Sequence, residues 1–305
     1  MGQFIVRRTI ELVATMFVII TVSFFLIRLA PGSPFASERE VPEEVLEQMN
    51  ARYGLDKPLT VQYFNYVKNL LRGDLGPSMK YPQRSVNEII AIGFPVTLLV
   101  ALVALTWALL IGVPAGIIGA IRQNTGWDYA AMAGAMAGIS LPAFVLGPLL
   151  VLAFSLTFQF LPAGGWGSWK HVILPGITLG AIRAGYIARL TRGGMLEVVR
   201  ADYIRTARAK GLSEQLVIWR HMIKGGLLPV VTYLGPAVAF MLVGSIVVEK
   251  IFNLPGIGPY FVDAAVNRDW FLVMGIIVLE AAFLLTMNLL VDIAYGLIDP
   301  RIRYE

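Results

Sequence analysis

The feature that most limits what this chain can fold into is a succession of long apolar runs separated by polar breaks. The first, Thr9 to Leu29, follows Arg7 and Arg8 and is about 20 residues long, enough to cross a hydrocarbon core about 30 Å thick as a helix. It is longer than the apolar stretch of a signal peptide, and no small-residue cleavage site follows it, so it reads as an uncleaved first span with its N-terminus in the cytoplasm. Further runs cover about 95–121, 129–160, 172–190, 225–248 and 271–297. Composition agrees: 57% of the 305 residues are hydrophobic and 15% charged, against roughly 45–50% and about 25% in soluble domains. The mean hydropathy is +0.70. A soluble domain could not hide that much apolar surface, and disorder, a collagen-like fibre and a disulfide scaffold are equally excluded.

Between the first two runs, residues 30–94 hold 7 Lys/Arg and 8 Asp/Glu. Turn signals stand at Pro31-Gly32 and Gly73-Asp74, and Pro42 to Tyr53 reads as a short helix opening on two glutamates. This is a polar segment folded on the membrane surface, and a long segment of this kind crosses largely regardless of its charge. The run at 129–160 is ambiguous. Its 32 positions would make a helix of about 48 Å at 1.5 Å per residue, too long for one simple crossing and too short for two with a turn. Pro142 and Pro148 would kink it. Charge decides the count. Residues 189–224 carry 8 Lys/Arg against 3 Asp/Glu, and basic loops favour the cytoplasm. A single crossing at 129–160 places that loop inside, with 13 Lys/Arg in cytoplasmic segments and 3 in the two short outer loops. The expectation is therefore an all-α polytopic membrane protein of six transmembrane helices with both termini cytoplasmic. It is organised as the N-terminus and first helix (1–29), an extracytoplasmic segment (30–94) and a five-helix core (95–305). Small residues spaced by four, at Gly112/Gly116, Gly134/Gly138 and Gly176/Gly180, suit close helix packing in lipid.

The cytoplasmic loop 191–224 carries the most local information. From Asp202 to His221 it describes two short helices with a break. Arg208 and Lys210 sit in the last turn of the first, where cations suit the negative dipole end. Gly211 suits the left-handed position that ends a helix, and Ser213 with Glu214 suits the start of the next. Tyr203, Ile204 and Ala207 make one apolar face. Leu216, Val217 and Trp219 with Arg220 make the second helix half apolar and half basic. These features fit an amphipathic hairpin on anionic lipid as well as a protein contact.

Thr206-Ala207, the spacing to Gly211 and the apolar-basic helix after it resemble the EAA loop of ABC importer permeases. The resemblance implies that this loop is the coupling helix that docks in a groove of the ATPase subunit, with Arg205, Thr206, Ala207, Gly211 and His221 as its positions. Arg205 stands where the general motif has Glu and Lys224 where many members have Pro. The peptide-permease branch usually carries the sequence found here from Arg205 to Gly211, so these departures narrow the family. Further stretches resemble the same branch: Arg7-Arg8, Gly54-Leu55-Asp56-Lys57-Pro58-Leu59, Gln62-Tyr63, Gly73 to Ser78, Glu249 to Gly258 and Asp299-Pro300-Arg301. Arg28 to Phe35 favours the B-type permease subunits of oligopeptide importers over dipeptide or nickel relatives. The resemblance implies a second homologous permease, two ABC ATPases binding ATP and Mg, an extracytoplasmic peptide-binding protein, a peptide substrate and a place in the bacterial inner membrane. Sidedness makes Asp74, Glu249, Pro255, Gly256 and Gly258 candidates for the outer gate or binding-protein contact.

Two charges fall inside spans, Arg183 in the fourth and Glu280 in the sixth. An intramembrane arginine costs about 2.5–3.5 kcal/mol on insertion scales and should face a partner or a wet path. Opposite charge at similar depth makes the two a candidate pair, with pore lining as the other reading. His171 follows Trp166, Trp169 and Lys170 and reads as part of an interfacial anchor. With no cysteine and two histidines, no metal cluster is expected. Gly256-Ile257-Gly258 lacks the third glycine and the strand-turn-helix setting of a dinucleotide site, and no phosphate-cradling Gly-rich loop with its Lys occurs. The chain is therefore not expected to bind a cofactor, nucleic acid or ATP itself. An ion-coupled secondary transporter would want several acidic groups near the midplane, where only Glu280 is available, and an intramembrane enzyme would lack its residues.

Overall fold

The computed structural model describes residues 2–29 and 42–298, and among them the regular structure is helical, with one isolated bridge, Pro77 to Ser85. The motif from Ala30 to Phe35, the Pro31-Gly32 turn and Asp299-Pro300-Arg301 lie outside the described residues. In chain order the helices are α1 (Gly2–Leu29), α2 (Glu43–Tyr53), α3 (Leu59–Leu70), α4 (Val86–Ile121), α5 (Gly126–Ser140), α6 (Ala143–Leu150), α7 (Ile173–Val199), α8 (Asp202–Ala209), α9 (Glu214–Leu216), α10 (Ile223–Gly226), α11 (Leu228–Ile251), α12 (Ile257–Val266) and α13 (Trp270–Ile298). Two π-helical stretches, Val151–Thr157 and Val217–Met222, extend α6 and α9, and a 3-10 turn, Trp169–Val172, precedes α7. The surface helix expected at 42–53 is α2, closed by Gly54 at φ +67°.

Among the described residues five helices are long and apolar enough to cross a bilayer unbroken: α1, α4, α7, α11 and α13. The expected single kinked crossing at 129–160 is instead two pieces, Gly126–Ser140 and Ala143–Thr157, meeting at 106°. The break falls at Leu141-Pro142 because the ring of a proline drives the preceding residue out of the helical region, and Leu141 is extended at φ −108°, ψ 121°. Pro148 lies within α6 without breaking it. Counted as one broken span, the pair brings the total to six. The loop expected from 191 is helical at its start, since α7 continues to Val199.

The chain divides into two compact units, Met1–Val96 with Gly256–Phe283, and Thr97–Pro255 with Leu284–Glu305. In the first, Val86, Ile89 and Ile90 of α4 pack with Ile257 and Ala264 of α12 and Leu272, Val273 and Ile276 of α13. α3 lies along α1: Tyr63 stacks on Phe25 at 5.5 Å and shares a 2.7 Å hydrogen bond with Thr21 Oγ1. Asp269 is fully buried before α13. Its Oδ2 accepts hydrogen bonds from Ser78 Oγ, from Met79 N at 2.9 Å and from Lys80 N at 3.1 Å, while Oδ1 caps Leu272 N. One carboxylate thus pins the 77–81 turn to the start of a span.

In the second unit α7 is the central element, packed by α5, α6, α10 and α11. Lipid tails are as apolar as leucine, so helices in a bilayer associate through close backbone approach. Five of the six spaced glycines serve that approach. A Cβ on Gly112 would stand 2.6 Å from Ala184 O, and one on Gly116 would stand 2.5 Å from both Ala188 O and Thr191 Cβ. Gly138, Gly176 and Gly180 are similarly crowded, whereas Gly134 has nothing within 4 Å. Gly116→Val should therefore collapse the yield of monodisperse detergent-solubilised protein, while Gly134→Val leaves the size-exclusion profile unchanged. Equal tolerance of the two would overturn this account of the packing.

Candidate coupling site

The segment after α7 folds as the sequence pattern implies at its hinge and differently on its faces. Gly211 adopts φ +76°, and open space surrounds its missing side chain. The requirement for glycine is therefore conformational rather than steric, since an L residue in the left-handed region costs about 1–2 kcal/mol. Across this turn Arg208 grips Glu214 with two hydrogen bonds, Nε to Oε2 at 3.1 Å and Nη2 to Oε1 at 2.6 Å. These bonds hold the Glu214 carboxyl below the usual carboxylate range. Ser213 occupies the N-cap of α9 without a capping hydrogen bond, so the ion pair, rather than a cap, ties the two short helices together.

Ile204 and Ala207 of α8 turn inward and pack with Val217 and Met222 against Ala120 of α4 and Met195 of α7. Tyr203, expected on that apolar face, is exposed, as are Leu216 and Trp219. On α8, neighbouring residues point about 100° apart, so burying Ile204 leaves Tyr203 outside. The stretch Val217–Met222 winds as a π-helix, so Trp219 does not follow the 3.6-residue spacing from which an α-helical face is read. Trp219 is 71% exposed. Arg205 and Thr206 are exposed and His221 is half-buried. Arg205 makes only an exposed 3.5 Å contact with Asp202, and Thr206 Oγ1 donates to Asp202 O at 3.0 Å. Of the five positions named from sequence, Ala207 alone is a packing residue, Gly211 is the hinge, and Arg205 and Thr206 face outward. Apolar Leu216 and Trp219 and basic Arg205, Arg220 and Lys224 are all exposed in this segment.

An ion pair that the sequence reading missed stands beside this cluster. Asp128, in the first turn of α5 and 3% exposed, accepts Arg192 Nε at 2.9 Å and Nη2 at 2.8 Å, a bidentate pair joining α5 to α7. Its Oδ2 also accepts Asn124 N at 3.0 Å, fixing the left-handed turn at Asn124, φ 60°. The only hint was a lone acid in the short break before 129, on the same side as the basic loop.

Within the membrane, Arg183 Nη1 donates to Tyr233 Oη at 3.1 Å, and its guanidinium lies 5.2 Å from the Phe240 ring centroid. Glu280, its expected partner, belongs to the other unit. His171 Nδ1 joins Ser168 at the start of the 3-10 turn before α7. Of the outer candidates, Asp74 and Pro255 are exposed. Glu249 is buried near the end of α11. Gly256 and Gly258 are buried at the start of α12, where a side chain on Gly93 would meet Gly256 and Ile257 at 3.1 Å. They begin a packed helix rather than an open turn.

The architecture is that of a polytopic α-helical permease. It resembles the solved MetNI methionine ABC transporter in an inward-facing conformation, with a TM-score of 0.59 and 15% identity, over 69% of this chain and 96% of that one; this likeness concerns the fold. The profile of the binding-protein-dependent transport system inner membrane component matches residues 112–304, and that family's N-terminal profile matches residues 1–101. The chain belongs to this family of inner-membrane transport components. It is 49% identical over 306 aligned positions to the oligopeptide transport system permease protein OppB of Salmonella typhimurium, covering 100% of both chains. It is 44% identical to the dipeptide transport system permease protein DppB of Bacillus subtilis, covering 99% of this chain and 98% of that one. The family is a transport component and not an ATPase.

The buried pair makes a sharp prediction. Removing one partner of a buried pair costs about 3–5 kcal/mol, because the other charge is left uncompensated. Arg192→Ala should lower the thermal midpoint strongly, and Asp128→Asn combined with Arg192→Gln should recover most of the loss. A single variant with native stability would show that the pair carries no weight.

Proposed function

We propose that this chain is the permease subunit of an ATP-driven importer that moves oligopeptides across the cytoplasmic membrane by alternating access. The coupling surface would be the outward face of residues 202–224. The observation that carries the reading is the way this segment is built. Its inner residues Ile204, Ala207, Val217 and Met222 are locked against α4 and α7, while Trp219 and the basic residues face out. A push on that face would reach α7 directly, since α7 runs unbroken from the membrane to the segment. The full-length likeness to the oligopeptide permease supports the substrate class, and the likeness to the dipeptide permease keeps a shorter peptide as the second reading.

In this scheme a second, homologous permease completes the path. Two ABC ATPases bind ATP and Mg and hydrolyse the nucleotide, and an extracytoplasmic binding protein delivers the peptide. The distribution of Lys and Arg supports a cytoplasmic side for both termini and the 202–224 segment. Residues 30–94 and 249–264 are then the candidates for contact with the binding protein. Ala207 holds the coupling helix down, and Gly211 sets the angle between its two parts.

The test is uptake of a labelled pentapeptide into liposomes holding the assembled transporter, with and without ATP, comparing the native chain with Gly211→Arg. ATP-dependent uptake is expected in the native protein, with loss of most of it in the variant while assembly is intact. ATPase stimulation by a solute other than peptide, without peptide uptake, would reject the substrate; undiminished uptake in the variant would reject the coupling role.

The same proposal gives the two intramembrane charges, Arg183 and Glu280, one shared role in transport. Arg183→Gln and Glu280→Gln are each expected to lower uptake, with the double variant no worse than either single change. Additive losses would reject the shared role.

A further inference from the structure

The first unit contains a cavity of about 400 Å³, within the roughly 300–1,000 Å³ typical of small-ligand sites. Five cations line it, Arg28, Arg52, Lys57, Lys68 and Arg72, against one carboxylate, Asp74. Among the described residues none of the five is ion-paired. Asp74 Oδ1 is already engaged by Gly76 N at 2.9 Å. Five like charges around one hollow repel one another, and they are gathered here without internal compensation. Two further polar groups on its wall are unsatisfied: Tyr66 is 5% exposed and its hydroxyl has no hydrogen-bond partner, and neither has Gln62 Oε1.

The cavity's position selects the kind of anion. Its floor is Phe24 and Arg28, in the last turns of the α1 span, with Phe271, in the first turn of the α13 span. The Arg28 guanidinium lies over the Trp270 ring at 4.0 Å and near Phe24 at 5.4 Å. Tryptophan and arginine at helix ends mark the level of lipid headgroups. Arg52, Lys57, Lys68 and Arg72 are exposed and Arg28 is half-buried, and all five line one hollow whose base is at the membrane boundary rather than a convex face. Guanidinium and ammonium groups are the usual partners of phosphate oxygens.

We propose that this cavity binds the phosphate-bearing headgroup of an anionic phospholipid, with Arg28 at its base and Arg52, Lys57, Lys68 and Arg72 around its rim. The bound headgroup offsets part of this positive charge and braces α2 and α3 against the exit of α1. Its acyl chains remain in the bilayer.

The experiment is native mass spectrometry of the full-length protein in detergent, titrated separately with phosphatidylglycerol, phosphatidylcholine and inorganic phosphate. Two charge-matched double variants are compared with it. Arg52→Gln with Arg72→Gln removes rim cations; Lys80→Gln with Arg84→Gln removes two exposed cations outside the lining. Preferential retention of phosphatidylglycerol is expected in the native protein and in the second variant, and about a tenfold or greater loss of that retention in the first. Circular dichroism identifies a rim variant that has failed to fold, and Lys57→Gln with Lys68→Gln then takes its place. Equal retention of the two lipids, or equal loss in the rim and control variants, would overturn the proposal. Saturable binding of inorganic phosphate with no lipid preference would assign the site to a free anion and overturn the lipid source.

Discussion

The second unit depends on how closely α4 and α5 approach α7. In water a helix packs because burying apolar surface is favourable; between lipid tails that gain is absent. What remains is dispersion between well-fitted surfaces, and it requires backbones within reach of each other. Gly112, Gly116, Gly138, Gly176 and Gly180 provide that reach. Contact at this range leaves little freedom to tilt or slide, so α7 behaves as part of a block. The Asp128–Arg192 pair closes the same block at one end, where a buried carboxylate would otherwise be intolerable.

The coupling segment inherits that rigidity. α7 continues past the apolar stretch to Val199, and three residues later α8 begins. Gly194 of α7 and Gly226 of α10 then meet so closely that a side chain on either would collide with the facing helix. The segment is clamped on its inner side and free on its outer side. A lever needs this combination: a face that a partner can hold, a body that does not deform, and a fixed angle at Gly211.

The first unit solves a different problem, which is to hold a polar segment against the ends of membrane helices. Aromatic packing of Tyr63 and Phe25 ties α3 to α1, and Asp269 ties the 77–81 turn to α13. Neither contact relieves the five cations that converge on the cavity above Phe24, and this imbalance is what calls for an anion.

The sequence by itself determined the class and the punctuation. Runs of about 20 apolar residues have one economical solution in a bilayer, so the spans were legible to within a turn or so at most ends. Gly211 and Pro142 were legible because their backbone effects are local: glycine enters the left-handed region without penalty, and proline bars the helical region to the residue before it. Which faces turn inward was decided by tertiary structure. Tyr203 and Ile204 are adjacent and both apolar, yet Ile204 is buried and Tyr203 is not, because neighbours on an α-helix point about 100° apart and only the packing against α4 and α7 selects which of them turns inward. The Asp128–Arg192 pair and the cationic cavity were invisible for a related reason. Asp128 and Arg192 are 64 residues apart, and Arg28 and Arg72 lie on separate elements. Charge signs and spacings along a chain do not say which residues meet; that is set only when helices with no preferred register in their sequence lock together through backbone contact.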